Sequence, residues 1–386
     1  MATGSFSLPG ELEEFRKLVR EIAEEHIAPR AAEIDETDEW PKDLWELMVA
    51  NELMAVGYPE ELGGAGGGSL TFALMIEEIS RVSAGVALTP LVARLGAIPI
   101  MLAGSEEQNR ELVGGIARGE HLMSYCLTEP GSGSDSAALN TRYRRREDGF
   151  VLSGTKRFIT GAGVSDAYTV FATRDPELRS GGIAAFLVYR DDPGVSFGRE
   201  ERKMGIHGSP TREVYFEDAE IPADRLIGEE GGGFRIAMRT LDHSRPTIAA
   251  QALGIAQGAF DCAARYMTER EQFGKKIAEF QGLQFVVADM AMQIEAARLL
   301  VYRAAEAVDA GDPRVGYFAA IAKAYASDAA MKVTTDAVQI LGGYGYLREY
   351  PVERFMRDAK ITQIYEGTNQ IQRIVIARDV LQALTG

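Results

Sequence analysis

The chain has 386 residues, of which 46% are hydrophobic, enough for two or three domains or one large composite fold with a substantial core. Lys and Arg total 41 against 57 Asp and Glu, a net charge of −16 that argues against nucleic acid or an anionic membrane as partner. Cys126 and Cys262 are the only cysteines, so no disulfide framework is indicated, and His26, His121, His207 and His243 show no metal-ligand spacing. No apolar run reaches the length expected of a membrane span.

Residues 11–29 predict a helix with Leu12, Phe15, Leu18, Val19 and Ile22 on one face, ended by Pro29. A second helix is expected from Leu44 to Met54. The glycine run 63–68 follows a helical pattern rather than a strand, so it reads as a flexible connection and not a phosphate cradle. Helices continue over 70–82, 86–103 and 106–117. At Leu122 the pattern changes to short β-branched and aromatic segments separated by turn residues. These are Met123–Thr128, Gly149–Ser153, Lys156–Thr160, Ala167–Thr173, Ile183–Tyr189, Val195–Phe197 and Glu213–Phe216, a spacing that suggests an antiparallel barrel or sandwich. The glycines of 228–233 mark a boundary. Long helical patterns then cover about 234–268, 281–310, 313–341, 352–364 and 369–384. The expected organisation is α+β and mostly α: a helical domain 1–121, a β domain 122–233 and a helical bundle 234–386. A doubly wound sheet is excluded, because strands and helices do not alternate.

Several stretches could carry chemistry. Near the C-terminus, Ile364-Tyr365-Glu366-Gly367-Thr368-Asn369-Gln370 breaks two helical patterns. Asn369 with Gln372 three residues on resembles a capping box, and Gly367 frees the turn. Glu366 would then lie beside open amides at a helix start, amid apolar residues. A carboxylate held still and away from bulk water suits the removal of a C–H proton, although a solvated loop glutamate reads the same in isolation. Thr128-Glu129-Pro130-Gly131-Ser132-Gly133-Ser134-Asp135 follows a strand and offers hydroxyls and close backbone approach, or simply a tight turn. Phe158-Ile159-Thr160 could set an aromatic face and a hydroxyl against a planar ring, or be an ordinary core Phe and surface Thr. Ser153-Gly154-Thr155-Lys156 has the S-x-x-K spacing of some acylated hydrolases, but it is expected in a hairpin turn and not at a helix start. Asp242 to Pro246 is expected to open a long helix, with Arg245 pairing an anion or an acidic neighbour. Arg270, Gln272, Phe273 and Gln281 lie between two helices, and Gln339-Ile340-Leu341-Gly342-Gly343 ends another. Arg270 could bind a pyrophosphate or cap the preceding helix, and the glycines of 342–343 could let the backbone approach a bound cofactor or form a C-cap.

Together the motifs resemble the acyl-CoA dehydrogenase family over nearly the whole chain. They occur in the family's order: TEPGSGSD at 128–135, FIT at 158–160, MGIHGSPT at 204–211, D-x-x-R at 242–245, R-x-Q-F-G at 270–274, QILGG at 339–343 and IYEGTNQIQ at 364–372. The resemblance implies an N-terminal α domain, a central β domain and a C-terminal four-helix bundle, assembled as a tetramer. It implies FAD-dependent oxidation of a saturated acyl-CoA to the trans-2-enoyl-CoA, with Glu366 taking the α-proton. Tyr125, Leu127, Thr128, Gly133, Ser134, Phe158, Ile159 and Thr160 match cofactor contacts. Arg270, Gln272, Phe273, Gln281 and 339–343 match contacts to a neighbouring subunit's FAD, and Thr368, Asn369 and Gln370 match the glutamate loop. Ser134, Asp242, Arg245 and Gly367 match the substrate side. Relatives that place the base on the long helix would use the position of Ser244, which is no carboxylate. Many relatives have Trp and Asn where Phe158 and Gly161 stand here.

The resemblance further implies an electron-transferring flavoprotein as acceptor and a role in fatty-acid metabolism. The expected location is the bacterial cytoplasm, and a processed mitochondrial protein would read the same way. Competing readings are a flavin oxidase or monooxygenase of the same fold, or a non-catalytic flavoprotein or acyl-CoA binding subunit. No metal is expected.

Overall fold

The computed structural model describes residues 8–385. Helices α1 (Gly10–Ile22), α2 (Ala31–Thr37), α3 (Lys42–Ala50), α4 (Gly68–Ser80), α5 (Ala84–Ala103), α6 (Glu106–Gln108) and α7 (Gly114–Ala117) come first. Strands β1 (Met123–Cys126), β2 (Arg142–Arg145), β3 (Gly149–Thr160), β4 (Ala167–Thr173), β5 (Ile183–Tyr189), β6 (Val195–Phe197), β7 (Thr211–Pro222) and β8 (Leu226–Ile227) form one sheet. Helix α8 (Gly233–Glu269), a short hairpin of β9 (Glu271–Gln272) and β10 (Lys275–Lys276), and helices α9 (Gln281–Asp309), α10 (Val315–Leu341), α11 (Val352–Thr362) and α12 (Asn369–Thr385) complete the chain.

Helix α4 is buried on every side, from Ser69 to Ser80, as a helix inside a core must be. Its two carboxylates, Glu77 and Glu78, are met by partners from other helices. Arg298 Nε and Tyr302 Oη of α9 reach Glu77 at 3.2 and 2.7 Å, and Arg20 of α1 reaches Glu78 at 2.7 Å. Helix α10 packs along both α8 and α9, and α11 and α12 fold back onto α10. The alanine-rich buried face of α10 permits that close approach.

The structure corrects several sequence expectations. Pro29 does not end the first helical stretch, because it sits in the first turn of a 3₁₀ segment where its missing N–H costs nothing. The second helix ends at Ala50 instead of Met54. The glycine run 63–68 is not a flexible connection: Gly66 N–H donates to the Tyr58 carbonyl at 2.9 Å, and the Asp309 carboxylate caps the start of α4 at Ser69 N and Leu70 N. Helix α5, with Pro90 and Pro99 inside it, is long and apolar enough to cross a membrane by length and composition (mean hydropathy 1.8). Yet 72% of that window is buried within the protein, so it is a core helix.

In the sheet, Ala167–Thr173, Ile183–Tyr189 and Val195–Phe197 match the expected strands, whereas β2 and β8 were not foreseen. The pairing is not purely antiparallel, since β1 runs parallel to β4. The two segments 149–153 and 156–160 are one strand, β3, paired with β7 through two register shifts. Ser153 to Lys156 therefore lies mid-strand, opposite a bulge in β7, and not in a hairpin turn. The second shift falls between Lys156 and Ile159 and puts Phe158 at φ +57. A bulge bends a strand and re-aims a side chain, and here it turns Phe158 out of the sheet, leaving it 58% exposed.

Candidate active site

A cavity of about 200 Å³ opens where β1, β3, α5, α8 and the turn before α12 meet. One wall is strand and loop: Tyr125, Leu127, Thr128, Gly133, Ser134, Phe158, Ile159 and Thr160. The opposite wall is helical, with Leu88, Leu91, Val92 and Leu95 from α5 and Met238, Leu241, Arg245 and Ile248 from α8. Tyr365, Glu366, Gly367 and Ile371 close it. The TEPGSGSD loop, the FIT segment and the glutamate turn thus share one cavity.

Beneath the loop, Lys156 and Glu129 form a buried ion pair at 2.7 Å. Lys156 also donates to the Leu127 carbonyl at 3.1 Å, and Glu129 accepts the N–H groups of Asn140 and Thr141 at 2.6 and 3.0 Å. A buried pair is tolerated only when further hydrogen bonds offset its lost hydration, and here the Leu127 carbonyl and the two backbone N–H groups supply them. It holds the backbone of Leu127 to Glu129 against β3.

Glu366 has φ +53, one of eight described non-glycine residues in the left-handed region. Phe158 on the same cavity and Phe273 elsewhere are two others. Such strain persists only where the surroundings over-determine it, and it concentrates at functional sites. Gly367 follows at φ +93, as the turn requires. The Glu366 carboxyl does not face helix amides: Oε2 accepts from Ser244 Oγ at 2.5 Å. What exposure it keeps is toward the cavity. Burial pushes its pKa up to about 7, against the opposing pull of the Ser244 hydrogen bond and the Arg245 and Lys323 charges. The Glu366 N–H has no protein acceptor among the described residues.

The capping expectation also changes. Thr368, not Asn369, precedes α12, and its Oγ1 accepts from Ile371 N at 3.4 Å. Asn369 turns into the bundle, donating to Ser327 Oγ and Asp328 Oδ1 at 2.8 and 2.7 Å, while Gln370 is exposed. Gln372 donates back to the carbonyls of Glu366 and Gly367 at 3.3 and 2.9 Å. Asp242 to Pro246 lies inside α8, not at its start. Arg245 is buried and bridges Asp242 Oδ1 at 2.8 Å and the Glu366 carbonyl at 3.2 Å. Asp242 itself does not line the cavity.

Arg270, Gln272, Phe273 and residues 339–343 line a second, open groove of about 640 Å³. Gln281 begins α9 beside it but is not in its lining. Phe273 is 92% exposed there. Within one chain these residues do not share the first cavity. Sequence reasoning missed Lys156 with Glu129, the hydroxyl role of Ser244, and Lys323. The apolar wall comes from α5 residues 88–95. At Gly161 (φ +81) a Cβ would come 2.5 Å from Ser124 Oγ and 2.8 Å from Ser165 Oγ, so any larger residue there needs both serines to move.

Three family models match in sequence order. The acyl-CoA dehydrogenase N-terminal, middle and C-terminal domains match residues 9–120, 124–219 and 231–381. The chain is 51% identical over 377 residues to the "Probable acyl-CoA dehydrogenase FadE25" of Mycobacterium tuberculosis, covering 98% of this chain and 97% of that protein. It is similar to the structure of butyryl-CoA dehydrogenase from Megasphaera elsdenii, with TM-score 0.95 and 45% identity over 98% of this chain and 100% of that one. A chain solved in work on the electron transferring flavoprotein of Acidaminococcus fermentans and flavin-based electron bifurcation gives TM-score 0.96 and 47% identity, again over 98% and 100%. The protein belongs to the acyl-CoA dehydrogenase family, oxidoreductases built on this three-domain fold.

Proposed function

We propose that the protein oxidises the Cα–Cβ bond of a saturated acyl-CoA to the trans-2-enoyl-CoA, with FAD as cofactor and Glu366 as the base for the α-proton. The observation that carries this reading is the Glu366 carboxyl: strained into a cavity, hydrogen-bonded through one oxygen only, and raised to about 7. A free glutamate near ~4.3 is a poor base for a carbon acid, and burial is the physical route to a stronger one.

The cavity fits a flavin. Phe158 offers an exposed aromatic face, and the hydroxyls of Thr128, Ser134, Ser136 and Thr160 line the wall with no protein hydrogen-bond partner among the described residues. We assign Tyr125, Leu127, Thr128, Gly133, Ser134, Phe158, Ile159 and Thr160 to holding it. Bound FAD supplies the acceptor for the β-hydride. On the protein side, Ser244 orients Oε2 and leaves Oε1 for the α-proton. Arg245 fixes the Glu366 carbonyl, which leaves the Glu366 N–H as a donor for the thioester oxygen; a donor there stabilises the enolate-like charge that develops. Leu88, Leu91, Leu95, Leu241 and Ile248 give the acyl chain an apolar bed, and its entry displaces the water that still reaches Glu366. Ser134 and Gly367 border the same space.

We assign the second groove, with Arg270, Gln272, Phe273, Gln281 and 339–343, to the FAD of a neighbouring subunit in a tetramer. Its openness in one chain and the exposure of Phe273 support that reading. The likeness to the Acidaminococcus fermentans work supports an electron-transferring flavoprotein as acceptor. The bacterial relatives support a cytoplasmic location. Glu366→Gln in the purified protein tests the base. Turnover of saturated acyl-CoAs falls to background while flavin content stays at the wild-type level; full turnover by that variant would refute the assignment.

A further inference from the structure

Lys323 lies midway along α10 and is wholly buried. Its helix neighbours Ala320, Ala322, Ala324 and Ser327 are small and buried too. An ammonium in such a place is costly unless hydrogen bonds and opposite charges offset its lost hydration. An apolar side chain of the same length would fill the space without that cost, so the packing of α10 alone does not explain a lysine.

Its partners do. Nζ donates to the Gly367 carbonyl at 2.8 Å and to Asn369 Oδ1 at 3.0 Å. Asn369 is itself locked by Ser327 and Asp328 of the same helix. The turn that Lys323 grips is the strained one, Glu366 at φ +53 and Gly367 at φ +93. Two further donors from other helices reach the same two carbonyls: Arg245 Nε of α8 to Glu366 at 3.2 Å, and Gln372 Nε2 of α12 to both. Three elements therefore converge on two successive carbonyls, and only Lys323 and Arg245 bring charge.

We infer that Lys323 is a positioning residue for the base: its ammonium pins the Gly367 carbonyl, fixes the turn that aims Glu366 into the cavity, and favours the ionised carboxylate. The inference rests on the reading of Glu366 as base. The charged groups around the pair are few. Glu366 and Asp328 favour the ammonium and Arg245 opposes it, while Asp242 is engaged by Arg245 and Arg373 of α12 pairs with Asp328. Burial pulls the Lys323 amine down to about 7, and its charge in turn lowers the pKa of Glu366. The sign is then set. Without the ammonium, Glu366 stays protonated to higher pH.

The test compares Lys323→Met and Lys323→Gln holoenzymes with wild type, measuring kcat and KM across pH and the thermal midpoint of each. Methionine keeps the volume and removes both donor and charge. Glutamine keeps a donor and removes the charge. Lys323→Met is expected to lose about tenfold or more in kcat near neutral pH with KM within about twofold, and the acid limb of its kcat profile moves to higher pH. Lys323→Gln recovers part of kcat at high pH but keeps the displaced limb. Should Lys323→Met not accumulate as folded holoenzyme, the Gln variant decides alone. Wild-type kcat and an unmoved acid limb, with only a lowered thermal midpoint, would make Lys323 structural and overturn the inference. Glu366→Gln assayed in parallel separates the two failures. Turnover by that variant defeats the base reading, whereas an inactive Glu366→Gln beside unaltered Lys323 variants defeats only the role given to Lys323.

Discussion

Ser244→Ala isolates one of the forces on Glu366. Ser244 is buried in the interior of α8, and its hydroxyl donates to Glu366 Oε2. Alanine is a better helix former and removes a single oxygen, so the fold should tolerate it. The lost bond favours the ionised carboxylate. A hydrogen bond to a charged group contributes about 1.5–3 kcal/mol, and about 1.36 kcal/mol corresponds to one pH unit, so the Glu366 pKa climbs by about one to two units. It starts from about 7. Near neutral pH the ionised fraction then drops from about one half to between about a tenth and a hundredth, a loss of roughly 5- to 50-fold in kcat/KM. Above about pH 10 the carboxylate is regained and the two enzymes converge. The assay is kcat/KM against pH with a saturated acyl-CoA and an artificial electron acceptor, because kcat/KM reports ionisations of the free enzyme. A uniform loss at every pH, with the acid limb in place, would mean that Ser244 only orients the carboxyl and would refute the electrostatic argument.

Two further expectations concern the frame of the site. Lys156→Met leaves Glu129 buried without its counter-charge and frees the Leu127 carbonyl; it should cost about 3–5 kcal/mol in urea unfolding and lower flavin content, and a loss under about 1 kcal/mol would contradict the pair's role. His207 is held above its usual range, to about 9, chiefly by its hydrogen bond with Asp35. Its contribution to stability is complete below about 6.5 and fades as pH rises through about 9, so the thermal midpoint should fall over that window, and His207→Gln should flatten the fall.

Much of the fold was legible because local pattern and tertiary structure agree. Ala167–Thr173 and Ile183–Tyr189 are segments rich in β-branched, aromatic and apolar residues between turn residues, and they are the wholly or almost wholly buried strands β4 and β5. The helical patterns of α8, α9 and α10 outlast any strand. Errors arose where one residue type has two uses. Gly154 reads as a turn but lies mid-strand, opposite a bulge in β7, because glycine serves turns and irregular strand positions alike. Pro29 reads as a stop but sits at the start of a helical segment. Asn369 reads as a cap because its side chain suits one, yet Ser327 and Asp328 on α10 claim it. In each case the deciding contact comes from a distant part of the chain.

The same reasoning explains which parts of the site were hidden. Glu366 was visible because an acidic residue at a break between helical patterns invites attention. Its controls were not, because they depend on which faces of α8, α10 and α12 meet. Ser244 drew notice only as a position lacking a carboxylate, although its hydroxyl touches the carboxylate that is present. Lys323 sits in an alanine-rich stretch where periodicity assigns a buried position, and a lysine there reads as a side chain reaching for the surface. A left-handed Glu366 cannot hold itself, since the conformation is unfavourable for any residue with a Cβ. The grips on the turn's two carbonyls come from Arg245 and Gln372 at Glu366 and from Lys323 and Gln372 at Gly367, on three different helices. The base is therefore a product of helix packing as much as of its own sequence. A substitution that shifts α10 against α8 should impair proton removal even when it touches neither cavity nor cofactor.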